Sequence, residues 1–485
     1  MGSIKKQGFW NTFISYSGIL IGFINILVLQ PKMLSATELG LTRILYSTTV
    51  LFGTLFPVGL NFLTIKYFPE FKNEKNKHHG YLPLLLLIST CSFLLFSLFL
   101  FLSKNYFIAK YSDSPLFVDY FYYIFPMTFF IGINTLLIGY SSALFKTSFP
   151  SFLNEVYIRL FVTAITLCYF FEFIPFEWFM RLFLFSYGTQ LLMLLIYIHK
   201  TDGLTLKINW SFFKTKDVKA MSFYTLQLAL ASVASIAIRN IDTMLVGGYL
   251  GLDAVAVYTI AFTIGSIIEA PVNALSRIAD SKIADAITRN DQPLIKTVYY
   301  KSAKLLSIIG ALLFLGVIVN IHDLLSLLPA KYHGGEFVVI IIATSSFFNM
   351  ASGVNTSLIY FSHLYKKGTY LLYLMISITL ILNIILIPIY GIIGAAVGTG
   401  ISLLFYNVFK YLLIYKHFSL QPFSSYIFYI IGLFASCLLV NSLLPILENP
   451  FLNMFLHSSV VGLIYCSGVL GFKLIPFNLK LLKFN

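Results

Sequence analysis

Apolar stretches of about 20 residues, each closed by charged residues, Pro, Gly or Asn, recur along the whole chain. At 1.5 Å rise per residue, a helix of that length matches a bilayer core about 30 Å thick. Fourteen windows of this kind are read, at 9–30, 41–64, 81–103, 119–145, 153–173, 178–198, 220–247, 252–276, 302–321, 337–362, 369–388, 391–415, 424–444 and 451–472. The longest connections, 199–219 and 277–301, hold about 20 to 25 residues each, too few for a soluble domain. The pattern predicts an all-α polytopic membrane protein.

The chain repeats itself. Met33-Leu34 and Leu39-Gly40-Leu41 lie 211 residues before Met244-Leu245 and Leu250-Gly251-Leu252, and Pro57-Val58 lies 214 residues before Pro271-Val272. Six spans separate the matching segments, so both halves run in the same direction. The expected organisation is a six-helix bundle over 1–200, a cytoplasmic linker over 201–219, a second six-helix bundle over 220–416, and an appended helix pair over 417–485. Two bundles facing each other across a central cavity is the expected architecture.

Composition agrees with the pattern and narrows the function. Of 485 residues, 58% are apolar and only 11% charged, with a mean hydropathy of +0.85. A soluble domain carries about 25% charged residues, so a cytosolic enzyme is excluded. The formal net charge of +14 would suit nucleic acid only if the cations were clustered on a wet face. They are not: with the N-terminus in the cytoplasm, about 25 of the 33 Lys and Arg fall on the inner side and about 6 on the other. The outer segments carry Glu172, Glu177, Asp323, Glu336 and Glu448. Basicity therefore records topology, both termini are expected in the cytoplasm, and no nucleic-acid partner is expected. Span 1 follows MGSIKKQGF without a small-residue cleavage site and is read as retained. Cys91, Cys168, Cys437 and Cys466 lie singly in separate spans, which predicts packing residues with no disulfide framework and no metal site.

Three stretches carry a family resemblance. They are Gly59 to Lys72 with Lys66 and Pro69, Arg239 to Gly251 with Asp242 and Gly247 followed by Ala256, Tyr258 and Ala261, and Pro388 to Ser402 with Gly391, Gly394, Gly398 and Gly400. Together they resemble the oligosaccharide flippase, or polysaccharide transporter, family of the multidrug/oligosaccharidyl-lipid/polysaccharide exporter superfamily. The resemblance implies alternating-access transport of an undecaprenyl-diphosphate-linked oligosaccharide, such as an O-antigen repeat unit of lipopolysaccharide, across the bacterial inner membrane. It implies a multi-pass monomer without catalytic residues or cofactors, with membrane lipids, a coupling H⁺ or Na⁺ and the polysaccharide polymerase machinery as partners. The chain holds no Gly-Lys dipeptide and hence no P-loop, so no ATPase is expected. An ion-coupled small-molecule exporter of the same superfamily is the alternative; it would favour an acidic cavity in the first half, whereas spans 1 to 3 contain no Asp or Glu.

Charges inside spans are costly and should face protein or water. Arg239 and Asp242 are three residues apart on span 7 and share a face, either meeting the diphosphate or forming a structural ion pair. Glu269 precedes Pro271 by two residues, an acid beside a hinge suited to coupling or to an interhelical contact. Arg159 follows Glu155 by one turn. Arg43 and Lys66, near opposite ends of span 2, either snorkel or bind the diphosphate. Pro57 and Pro271 are the expected hinges. Span 1 offers no cation, only Asn11, Ser15, Tyr16, Ser17, Asn25 and Gln30, so diphosphate recognition is expected from other helices or from hydroxyls and amides.

Overall fold

The computed structural model describes residues 2–57, 59–73, 76–203, 205, 207–213 and 218–474. Every regular element among them is a helix. Backbone groups in a bilayer have no water to bond, so the apolar runs close their hydrogen bonds internally as helices. Eleven of the described helices are long and apolar enough to cross a membrane.

The longest, Tyr365–Phe418, is a hairpin rather than a rod. Its Gly391 has φ 60° and ψ −140°, a conformation open essentially to glycine. A straight helix would hold residues 383 and 398 about 22 Å apart, yet Gly398 packs directly on the Asn383 side chain. At the far end Lys367 Nζ stands 2.9 Å from His417 Nε2. The chain therefore reverses at Gly391, between the predicted spans 369–388 and 391–415, and the small residues after it let the two arms approach closely. The predicted span 41–64 is divided between Ala36–Leu55 and Leu60–Phe71, broken across Pro57. The predicted span 220–247 lies within Val218–Leu250.

Two compact units form, Met1–Ala256 and Val257–Asn485. Val218–Leu250 thus packs with the first unit, chiefly against Ala36–Leu55. The interior of the first unit is aromatic, with Phe56, Phe68, Phe71, Tyr81 and Tyr140 buried together. At one end Ser35 caps Ala36–Leu55 in a capping box with Glu38, Tyr169 Oη donates to Glu38 at 2.6 Å, and Thr37 donates to Asp253 at 2.7 Å. In the second unit, Tyr426–Leu443 and Pro450–Gly471 pack on Gln292–Ser326 around Cys437, Val461 and Tyr465. Tyr465 Oη donates to the Ile308 carbonyl at 2.9 Å. All four cysteines are free thiols. Leu94, Leu95, Leu98, Phe99 and Leu102 point outward on Tyr81–Leu102, as acyl chains rather than water would require.

Candidate functional site

Within the first unit, parts of Gly2–Ile24, Ala36–Leu55, Ile124–Ala143, Ile158–Phe170 and Phe176–Asp202 enclose a cavity of about 320 Å³. Two of its walls are irregular. The helix beginning at Gly2 passes into a π-helical turn, Asn25–Leu29, and the helix ending at Phe170 is preceded by another, Leu153–Tyr157. A π turn inserts one residue and re-aims the side chains around it, and such turns concentrate at functional sites. Here they direct Asn25, Ile26, Asn154 and Glu155 at the cavity.

The charges come from Arg43, Arg159 and Glu155. Arg159 Nη1 bonds Glu155 Oε2 at 3.1 Å and the Glu155 carbonyl at 2.8 Å. Both side chains keep about a third of their surface exposed, at 33% and 31%. Arg43 Nη2 donates to Gln30 Oε1. Two guanidiniums against one carboxylate leave a formal excess of one positive charge. Tyr46 lies in the field of all three charged groups, and Tyr187 lies near both arginines.

Neutral polar groups complete the lining. Asn25 Nδ2 donates to the Arg159 carbonyl at 3.0 Å, while Thr163 donates to Asn25 Oδ1 at 2.8 Å, which ties the two helices together beside the π turns. Asn134 Nδ2 donates to Gln190 Oε1 at 3.1 Å. The buried Asn134 Oδ1 has no partner among the described residues. The cavity therefore offers fixed planar donors for an anion beside amides and phenols for hydroxyl-bearing groups.

Of the positions singled out in the sequence, Arg43 and Arg159 meet here, although 116 residues separate them. Lys66 is exposed on Leu60–Phe71, its ammonium 5.0 Å from the Tyr67 ring centre, and does not line the cavity. Asp242 is fully buried on Val218–Leu250 and likewise lies outside the lining. Arg239 is on the same helix, but its side chain lies outside the described residues. Pro57 stands at the break before Leu60–Phe71, and Pro271 opens Ala270–Thr288 directly after the short turn Ile267–Glu269. Glu269 belongs to the second unit, where it accepts from Asn349 Nδ2 at 3.2 Å.

Sequence reasoning missed several groups. Gln190, Asn134, Tyr46 and Tyr187 attracted no notice, although a Gln and an Asn in apolar spans were the available signal. Lys410, within the predicted span 391–415, is only 2% exposed in the second unit. Among the described residues no group of three or more His, Cys, Asp and Glu side chains could hold a metal ion.

The family described as polysaccharide biosynthesis protein matches residues 4–279. The MatE family matches residues 228–389. Among curated proteins none matches. Among solved structures the chain is similar to the lipid II flippase MurJ in an inward closed conformation, with a TM-score of 0.74 and 15% identity over 94% of this chain and 98% of that one. It is also similar to an inward-facing multidrug resistance MATE family transporter of the MOP superfamily, with a TM-score of 0.63 and 13% identity over 83% of this chain and 94% of that one. An outward-facing structure of the MATE family gives a TM-score of 0.56 at 15% identity, over 86% and 95% of the two chains. At these identities the likeness establishes the fold.

Proposed function

The chain belongs to the polysaccharide biosynthesis protein family, and from that premise we propose that it is a flippase for an undecaprenyl-diphosphate-linked oligosaccharide. It carries the repeat unit of an O-antigen or another surface polysaccharide from the inner to the outer leaflet of the bacterial cytoplasmic membrane by alternating access. The observation that carries this reading is the pairing of Arg43 and Arg159 in one cavity with a single carboxylate. Arginine presents a rigid fork that matches phosphate oxygens two at a time. A diphosphate brings the complementary negative charge, and the surrounding Asn25, Gln30, Asn134 and Gln190 suit the hydroxyls of an adjoining sugar. A volume of about 320 Å³ takes a head group rather than a whole glycan lipid.

A second reading, an exporter of small molecules, is supported by the MatE match over residues 228–389. A cationic drug would meet two arginines in this cavity and a carboxylate already engaged by one of them, so the electrostatics favour the anionic cargo.

The test compares inner membranes of a deletion strain with those of the complemented strain for the content and leaflet sidedness of lipid-linked oligosaccharide. Accumulation of undecaprenyl-diphosphate glycan on the cytoplasmic face, relieved by complementation, is expected. Normal glycan lipids together with heightened sensitivity to small toxic compounds would establish the exporter instead.

A further inference from the structure

A cleft of about 660 Å³ in the second unit belongs to no part of the proposed transport site. It lies between the start of Gln292–Ser326 and the end of the hairpin Tyr365–Phe418, with Lys296 and His417 in its lining. Lys367, from the start of the same hairpin, stands beside it. The Leu413 carbonyl, 2.9 Å from His417 Nδ1, can only accept, so Nδ1 carries the proton and Nε2 accepts from the Lys367 ammonium at 2.9 Å. His417 thus orients Lys367 without neutralising it, and two ammonium hydrogens are left for another acceptor. Lys296 and Lys367 are both exposed, and among the described residues no carboxylate pairs with either. Asp291, the acid nearest Lys296 in sequence, is turned to the Leu294 amide at 3.0 Å.

Lys367 also heads an apolar stripe. Tyr370, Leu374, Ile381 and Ile385 follow it within about 60° of one helix face, and all four are exposed. A soluble phosphate would match the two cations alone. An anionic phospholipid matches them with its phosphodiester and matches the stripe with an acyl chain. This end of the helices is also the one that the Lys and Arg bias assigns to the cytoplasm, where anionic headgroups attract cations beside the membrane. We propose that Lys296 and Lys367, the latter positioned by His417, hold the headgroup of an anionic phospholipid of the inner leaflet, with one chain along the stripe from Tyr370 to Ile385. This lipid is distinct from the cargo, so the site stands or falls apart from the identity of what is transported.

The experiment titrates the purified full-length chain in detergent with phosphatidylglycerol, and separately with phosphatidylcholine of the same chains, and counts bound lipid by native mass spectrometry. The wild type is expected to bind phosphatidylglycerol more tightly. A lysine at an anionic surface contributes about fivefold, so K296A/K367A is expected to weaken phosphatidylglycerol binding about 25-fold. Lys367→Arg keeps the charge and is expected to retain binding. His417→Ala is expected to lower phosphatidylglycerol affinity while leaving phosphatidylcholine binding and the thermal midpoint unchanged. K72A/K200A removes two exposed lysines of the first unit and is expected to have no effect. Equal binding of the two lipids by the wild type would overturn the proposal. An equal loss in K72A/K200A would also overturn it, because the attraction would then be diffuse. So would displacement of phosphatidylglycerol by equimolar glycerol 3-phosphate, since a soluble anion would then be the ligand.

Discussion

Arg159 lies along Gly22: a Cβ at position 22 would stand 3.0 Å from Arg159 Nε and 3.3 Å from its Cδ. One turn earlier, a Cβ at Gly18 would meet Arg159 Nη1 as well as the Glu155 carbonyl oxygen, the latter at 2.6 Å. Gly22 meets only the flexible side chain that lines the cavity, whereas Gly18 meets that side chain and also backbone inside the π turn Leu153–Tyr157, which cannot give way. The two glycines therefore make different predictions. Gly22→Ala should leave the melting temperature near that of the wild type and lower translocation by displacing Arg159. Gly18→Ala should destabilise the fold by about 1–3 kcal/mol, the usual cost of forcing atoms into a packed contact. Thermal unfolding of both variants beside the leaflet assay separates them, and equal stability losses would show that Arg159 is not free to give way.

The paired arginines should act as binding groups for the cargo. Losing a hydrogen bond to a charged group costs about 1.5–3 kcal/mol, roughly ten- to a hundredfold in affinity. Arg43→Ala and Arg159→Ala are each expected to weaken binding of a diphosphate lipid by that factor in a direct titration. Arg→Lys at either position should recover only part of it, since lysine keeps the charge and loses the fork. Full recovery by lysine would mean that charge alone matters at that position.

The spans were legible because a bilayer imposes a length and a composition that single residues cannot escape. Pro57 and Gly391 marked the break and the reversal for the same local reason, a backbone that an ordinary helix cannot accept. The site was legible only in pieces. Arg43 and Arg159 stood out as charges in apolar runs, but their meeting depends on how helices 116 residues apart pack. The π turns carry no sequence signature, since Asn25–Leu29 and Leu153–Tyr157 differ from α-helix by one inserted residue per turn. Lys410 falls near one end of the predicted span 391–415, and only packing shows Thr356 and Tyr406 closing over it. Glu269 and Lys410 do stand about 26 and 28 Å along their predicted spans, a matching depth that two separate helices do not reveal until they are packed.

The capping box at the start of Ala36–Leu55 does two jobs. Ser35 Oγ accepts from the Glu38 amide at 3.2 Å, the Ser35 amide donates to Glu38 Oε2 at 2.8 Å, and Glu38 Oε1 receives Tyr169 Oη. Ser35→Ala removes one acceptor and should cost about 1 kcal/mol. Glu38→Ala removes the return bond and the tether to Tyr169 together, so it should cost more than Ser35→Ala. A double-mutant cycle of Glu38→Ala with Tyr169→Phe, read by thermal unfolding, should show coupling between the two. Strict additivity would mean that the Tyr169 contact contributes nothing to the folded state.

The Gly391 reversal makes the sharpest backbone prediction. With φ 60° and ψ −140°, any residue with a Cβ is strained there by about 1–3 kcal/mol. The alternative open to the chain is to continue as helix through the apolar residues on either side, with Pro388 able only to kink it. A continuous helix of 54 residues would be about 81 Å long and could not sit across one bilayer. Gly391→Val should therefore lower both the folded yield and the thermal midpoint. Gly432, where an added Cβ meets nothing within 4 Å, is the control, and Gly432→Ala should be neutral. The hairpin also brings Lys367 to His417, so cysteines placed at these two positions should be joined by a bifunctional thiol reagent that spans the length of the two lost side chains in the wild-type background, and not beside Gly391→Val. Cross-linking that survives the valine would show that the reversal is held by the packing of the two arms rather than by the glycine.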